Sequence, residues 1–339
     1  MYHRTLDTKY GLLNLNNLNI PRDRNGLFSQ QIIPDYSRRT DDLETTIITL
    51  YRKGITTREI GDIIEKLYGH HYSPATVSNI TQAVKGQVKE FHERPLNEQY
   101  VVVYMDATYI NIRRDSVAKE PLHVLMGITP EGSKEVLDYA LYPTESAANY
   151  EEMLAGLKDR GVKQVLLFAS DGLAGVRDAV KRQFPEAEHQ QCWVHLSRTV
   201  SRYIRQKDSK EVLDDLKNVY KADDADAAQK ELDAFIEKHG KNYKKLPDIF
   251  ERAKESLFQF FKFPKDIRSC LYTTNLIERS NKELERKTNV KEQFPNEEAL
   301  ERFVCCYCSD TNRNMQLVLR KALKRHQQRS CRCLKTHPV

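Results

Sequence analysis

The stretch VVVYMDAT, residues 101–108, is an apolar run that stops on a carboxylate. VLLFASDG, residues 165–172, repeats the pattern, with Asp171 lying 65 residues after Asp106. Short runs of apolar and β-branched residues bounded by turn residues mark strands covered on both faces. Three more such runs flank them: His123 to Ile128, Val136 to Leu141 and His189 to Val194. Helical periodicity over 148–158 separates the third run from the fourth, and another helix over 173–184 separates the fourth from the fifth.

Three strands, helix, strand, helix and strand is the order of an α/β ribonuclease-H-like core, a mixed sheet with helices on both faces. Amphipathic helices then occupy 209–261, carried by Leu213, Leu216, Tyr220, Leu232, Phe235, Ile236, Phe250, Leu257 and Phe260, and read as an all-helical insertion. A last helix beginning near Leu276 carries Glu278 in TTNLIERSNKELERK, residues 273–287. Asp106 and Asp171 end adjacent strands and can meet, and Glu278 follows the insertion. Three converging carboxylates repel unless cations lie between them. Two Mg2+ ions about 4 Å apart, with Mn2+ as a substitute, meet that need and suit in-line displacement at phosphorus. Each residue also has a plainer reading: Asp171 with Gly172 as a turn, Asp106 as an exposed strand end, Glu278 as the third residue of a capping box on Asn275.

Upstream, residues 1–40 intermix apolar residues with Asn, Gly and Pro and read as a small β-rich lead-in. Between 41 and 94 the pattern turns helical. Thr56 and Glu59 form a capping box, Gly69 closes that helix, and Ser73 with Pro74 opens a third one whose buried side is Val77, Ile80, Val84 and Val88. This is the layout of a helix-turn-helix DNA-binding domain and equally of an ordinary three-helix bundle. In the first case Thr76, Ser78, Asn79 and Gln82 face a major groove. Arg279, Lys282 and Arg286, spaced three and four apart on the glutamate helix, form either a stripe that contacts DNA phosphates or a solvated face.

The chain carries 54 Lys and Arg against 48 Asp and Glu. Residues 304–339 hold 8 of the bases and 1 of the acids, leaving 46 against 47, so the body is neutral and net charge decides nothing. Five of the seven cysteines (Cys305, Cys306, Cys308, Cys331, Cys333) lie in that tail, which excludes a distributed disulfide framework. No run approaches the roughly 18 apolar residues of a membrane span, so a soluble, cytoplasmic, nucleoid-associated protein is expected.

Asp106 in its strand, SDGLAGVRDAV, QCWVH and YTTNLIERSN together resemble the mutator-type family of bacterial insertion-sequence DDE transposases. The likeness extends upstream through PRDRNG, LYRKGITTREI, LYGHHYSPATVSNIT and RPL, spanning about Thr5 to Phe303 in consistent order. The resemblance implies an acidic triad of Asp106, Asp171 and Glu278, recognition of terminal inverted repeats, hydrolytic cleavage at an element end and strand transfer into target DNA. Two or more protomers should assemble on paired ends. Cys192 and His195 match the family's Cys-x-x-His pair. With Trp193 between them they are accessory candidates that shape the pocket, contact DNA or simply pack, and they make half a zinc site.

The expected organisation is a lead-in (1–40), a helix-turn-helix (41–94), a first part of the core (95–208), the insertion (209–263), core completion with the glutamate helix (264–303) and a basic Cys-rich tail (304–339). The tail's cysteines lack zinc-knuckle spacing, and translation in a shifted frame explains its composition better. Family members generally carry a further N-terminal helical stretch, so an impaired copy that only binds DNA is the competing expectation. A non-catalytic DNA-binding regulator and a different ribonuclease-H-like nuclease compete with it as well.

Overall fold

The computed structural model describes residues 2–8, 11–18, 41–69 and 71–315, so the expectations for 19–40 and 316–339 lie outside the described residues. The chain divides into two compact units, Met1–Glu90 with Ile112–Val117 and Arg286–Tyr307, and Phe91–Asn111 with Ala118–Glu285 and the chain from Cys308 on.

The first unit opens with an antiparallel hairpin of β1 (Tyr2–Thr8) and β2 (Gly11–Leu18), in which Leu6 faces Leu13. Helices α1 (Asp41–Arg52), α2 (Thr57–Tyr68) and α3 (Pro74–Thr81) follow, their apolar faces burying Leu43, Ile47, Ile60, Ile64, Val77 and Ile80. The expected caps are present. Thr56 Oγ1 accepts from the Glu59 N–H at 3.2 Å, while Glu59 Oε2 accepts from the Thr56 N–H at 3.0 Å. Ser73 Oγ accepts from the Thr76 N–H at 3.1 Å ahead of Pro74. Gly61 is demanded by packing, because a Cβ there would lie 2.4 Å from the Tyr72 carbonyl oxygen. Val84 and Val88 do not continue α3. The chain passes through a 3-10 turn (Gln82–Val84) into a separate helix, α4 (Lys85–Glu93).

The second unit is built on a five-stranded mixed sheet of β3 (Gln99–Arg113), β4 (Val117–Ile128), β5 (Lys134–Leu141), β6 (Gln164–Ser170) and β7 (Glu188–Gln191). Their order is β5-β4-β3-β6-β7. The β4/β5 pair is antiparallel, and the β3/β6 and β6/β7 pairs are parallel. Helices α5 (Ala147–Asp159) and α6 (Val176–Gln183) supply the crossovers into and out of β6. Tyr150, Leu154, Leu157, Val176 and Val180 join Val103, Met105, Leu125, Val165 and Phe168 in one core. Burial on both faces is why β3 and β6 read as unbroken apolar runs.

Three strand and helix limits differ from expectation. Asp106 sits within β3, which runs on to Arg113, rather than at its end. Helix α6 starts at Val176, after Gly175 takes φ +83°. The last strand stops at Gln191, and Trp193 and Val194 belong to α7 (Trp193–Ser201), capped by Cys192. The ladder ends there because Cys192 gives its N–H to the Ser170 carbonyl at 2.8 Å while Trp193 turns its own N–H to Tyr272 O at 2.9 Å.

Helices α8 (Ser209–Tyr220), α9 (Ala225–Gly240) and α10 (Lys245–Ala253) form an all-helical segment, followed by α11 (Lys265–Leu271) and α12 (Asn275–Asn289). Trp193 anchors that segment. Its ring stacks on Phe258 with centroids 6.0 Å apart, approaches Tyr220 at 5.3 Å and donates from Nε1 to Leu257 O at 2.9 Å.

Residues 297–315 form one further helix, α13. Val304, Cys305, Cys306, Tyr307 and Cys308 are all buried within it, so the break expected at 304 is not there. Cysteine behaves as a small apolar residue in a packed helix, and its enrichment is no mark of a structural boundary. Among the described residues no helix is long and apolar enough to cross a membrane.

Candidate active site

The β3/β6 register pairs Tyr104 with Ala169, so Asp106 lies two residues further along β3 while Asp171 lies two residues further on the other chain segment, just past the end of β6. At that point β6 ends and the backbone turns at Gly172, where φ is +95° and an added Cβ would lie 2.1 Å from Gln191 Nε2. Asp171 also makes the local turn anticipated for it, since its Oδ1 accepts from the Leu173 N–H at 3.2 Å. The turn and a place in a carboxylate cluster are compatible, because Oδ1 has a second lone pair and Oδ2 is uncommitted to that turn.

Glu278 arrives on the first turn of α12. Asn275 is the first helical residue, not the cap, and the Glu278 N–H bonds the Thr274 carbonyl at 2.9 Å. The Glu278 carboxylate is therefore free of any box with Asn275 and points to α7. Arg198 grips it with two bonds, Nη1 to Oε1 at 3.2 Å and Nη2 to Oε2 at 3.0 Å. His195 Nε2 stands 3.7 Å from Oε1. One turn on from Glu278, Asn281 donates from Nδ2 to Asp106 Oδ2 at 2.9 Å.

The electrostatics tie the three acids together. Burial, followed by the charges of Asp171 and Glu278, pushes the Asp106 carboxyl up to about 7, against the opposing pull of His195 and the Asn281 hydrogen bond. Burial also acts to raise Glu278, but Arg198 and His195 outweigh it and leave its carboxyl below the ordinary range. A fourth carboxylate lies close by: Glu145 accepts from Tyr109 Oη at 3.1 Å, and burial and the charge of Asp171 raise it. Two buried carboxylates, Asp106 and Glu278, and two half-buried ones, Asp171 and Glu145, supply oxygen donors here, the donor set that hard divalent cations such as Mg2+ take. The residues fit such an ion.

Cys192 and His195 are also drawn in. Thr274 gives its N–H and its hydroxyl to Cys192 Sγ at 3.3 and 3.1 Å, and the same hydroxyl is 3.4 Å from both His195 Nδ1 and Glu278 Oε1. A hydrogen bond from His195 lowers the thiol against its burial, and the thiol in turn raises the imidazole. Trp193 is 1 % exposed, so its side chain packs rather than touching DNA.

Of the remaining residues singled out in the sequence, Asn79 and Gln82 are exposed on and just after α3, while Thr76 and Ser78 are half-buried and Thr76 is engaged by Ser73. Arg279, Lys282 and Arg286 are all exposed along α12. Sequence reasoning does not single out Arg198, Thr274, Asn281 or Glu145. The first three stand three or four residues from His195 or Glu278, a helical spacing that puts them on the same face and that could have found Arg198 and Asn281.

The chain belongs to the Mutator family of transposases, whose profile matches residues 1–317. That match carries the likeness past Phe303 and through the buried cysteines of α13. The chain is 43 % identical over 311 residues to the transposase for insertion sequence element IS905 of Lactococcus lactis, covering 92 % of this chain and 78 % of that protein. It is 40 % identical to the transposase of IS1201 from Lactobacillus helveticus, covering 89 % and 81 %. Among solved structures, the Drosophila P element transposase strand transfer complex matches with TM-score 0.33 and 12 % identity over 48 % of this chain and 43 % of that one. That likeness is too distant to define the fold.

Proposed function

We propose that this protein is a DDE transposase that cleaves DNA at the terminal inverted repeats of an insertion sequence and joins the freed 3′ end to target DNA. The observation that carries the reading is that the buried Asp106 carboxyl is raised by the neighbouring charges of Asp171 and Glu278 and is held by Asn281 from the glutamate helix, in a chain that belongs to a transposase family. On this reading the mixed sheet and its helices are a ribonuclease-H-like core, interrupted by the helical segment over 209–263 and completed by 264–303.

Asp106, Asp171 and Glu278 would hold two Mg2+ ions. Such a pair, when bound, activates the attacking water or 3′-hydroxyl and stabilises the leaving oxygen. The chain's own residues prepare that chemistry. Asn281 fixes the Asp106 carboxylate and favours its ionised form, and Arg198 holds Glu278 in one orientation with a planar, bidentate grip. Burial excludes bulk water and strengthens every charge interaction at the site.

Helices α2 and α3 act as a helix-turn-helix, with Asn79 and Gln82 free to reach base edges and Thr76 and Ser78 supporting the groove contact. Arg279, Lys282 and Arg286 supply phosphate contacts that position the strand without reading sequence. Two or more protomers assemble on paired ends. Incubating the protein with Mg2+ or Mn2+ and a duplex carrying the element end tests the proposal: Asp171→Ala should abolish cleavage, and equal cleavage by wild type and variant would refute it. Binding of the duplex without cleavage under either metal would instead point to a DNA-binding remnant.

A further inference from the structure

We infer that Cys192, His195 and Glu278 form an alternative cation site, one that takes a zinc-class ion and shares Glu278 with the all-oxygen site of Asp106, Asp171 and Glu278. One ligand atom from each of the three residues lies within 4.8 Å of the others. A tetrahedral ion with bonds of about 2.0 to 2.3 Å needs ligand atoms about 3.4 to 3.7 Å apart. His195 Nε2 and Glu278 Oε1 are already 3.7 Å apart. With one donor atom per residue already within 4.8 Å of the others, ion binding would require the donors to draw together by roughly 1 Å.

The local chain explains the arrangement. Cys192 is the N-cap of α7 and makes no capping bond through its side chain, and His195 is the third helical residue. Their spacing puts thiol and imidazole on one side of the first turn, facing the start of α12. Cys192 Sγ receives two hydrogen bonds from Thr274, the arrangement that steadies a metal-bound thiolate. Arg198 does not exclude the ion, because it uses two of the roughly four lone-pair positions of the Glu278 carboxylate. A water completes the fourth position.

The donor set decides which ion. A thiolate with imidazole and carboxylate selects Zn2+, Co2+ or Cd2+, whereas Mg2+ demands oxygen and near-octahedral geometry. Binding releases the thiol proton to solvent. One consequence rests on the function proposed above: an ion held here draws Glu278 away from Asp106 and Asp171, so Zn2+ should suppress Mg2+-supported cleavage at least tenfold.

The binding itself is tested by titrating the full-length, metal-free protein with Co2+ and reading the thiolate-to-cobalt charge-transfer absorption. Wild type should show the band saturating at one Co2+ per chain, Cys192→Ser should lose it, and Asp171→Ala should keep it. No band in wild type, or a band that survives Cys192→Ser, would overturn the inference, and so would its loss in Asp171→Ala. Crystals of the wild-type protein soaked in Zn2+ provide a readout that needs no variant. An anomalous peak between Cys192 Sγ and the Glu278 carboxylate supports the site, and the absence of a peak there overturns it. If Asp171→Ala leaves cleavage intact, the transposase chemistry fails while the cobalt band stands or falls independently.

Discussion

The hydrogen bond from Asn281 to Asp106 joins two buried groups, and its loss would leave the Asp106 carboxyl with less to oppose its burial and the charges of Asp171 and Glu278. Asn281→Ala should therefore lower Mg2+-dependent cleavage by about tenfold or more, the usual range for residues that orient metal ligands. Single-turnover cleavage measures it, and a wild-type rate would contradict the role. Two histidines carry a second prediction. His123 is fully buried, with no hydrogen-bond partner on either ring nitrogen and Tyr142 and Tyr150 packed edge-on against it. His189 is held between Ser170 Oγ and Ser256 Oγ, each at 2.9 Å. Burial lowers both to about 4 from the ordinary 6.5. Between those pH values the unfolded chain binds protons that the folded chain refuses, so stability is lost as pH falls from about 6.5 towards 4. The loss is on the order of 3 kcal/mol per residue at most. Urea unfolding at pH 7 and pH 5 should show it, with a smaller loss in His123→Phe.

Helices α2 and α3 show how one contact reverses a propensity. Ala in place of Gly within a helix ordinarily stabilises by about 1 kcal/mol. At Gly61 the new Cβ would meet a backbone oxygen, Tyr72 O, at 2.4 Å, and a backbone atom cannot swing aside. Gly61→Ala should therefore destabilise, by about 1 to 3 kcal/mol. Thr56→Ala, which removes the capping box, should cost about 1 kcal/mol. Thermal melts followed by circular dichroism separate the two, and a raised Tm for Gly61→Ala would show that α2 and the α2–α3 turn do not pack as described. These caps and glycines follow local rules, which is why Thr56, Gly69, Ser73 and Pro74 could be placed from sequence. The break between α3 and α4 could not, because Val84 and Val88 fit the period of a continuous helix and no capping side chain marks the 3-10 turn.

For the second unit as a whole, Trp193 is the joint between sheet and helical segment. Trp193→Ala would empty a site lined by Tyr220, Phe250 and Phe258 and leave the Leu257 carbonyl without one of its donors. The expected cost is about 3 to 5 kcal/mol. The loss should fall first on α8–α10, so limited proteolysis should cut within 202–264 before the sheet opens. Uniform cleavage across the chain would contradict that order.

Much of the architecture follows from local pattern. The buried strands announce themselves as apolar runs, α5 and the helical segment as period-3.6 stripes, and the caps as short motifs, because each depends on neighbours in sequence. Asp106 and Asp171 could be singled out as candidates because each closes an apolar run, and Glu278 through the resemblance of its motif to the transposase family. What sequence could not settle lies in contacts across long separations. Asp106 is mid-strand because β3 outruns its pairing with β6, and Cys192 leaves the sheet because Ser170 and Tyr272 share the donors at that corner. Arg198 and Asn281 are ordinary polar residues until α7 and α12 pack together and turn them onto Glu278 and Asp106. Burial then raises the stakes of every charge at the site, and burial is a property of the assembled fold rather than of any residue in it.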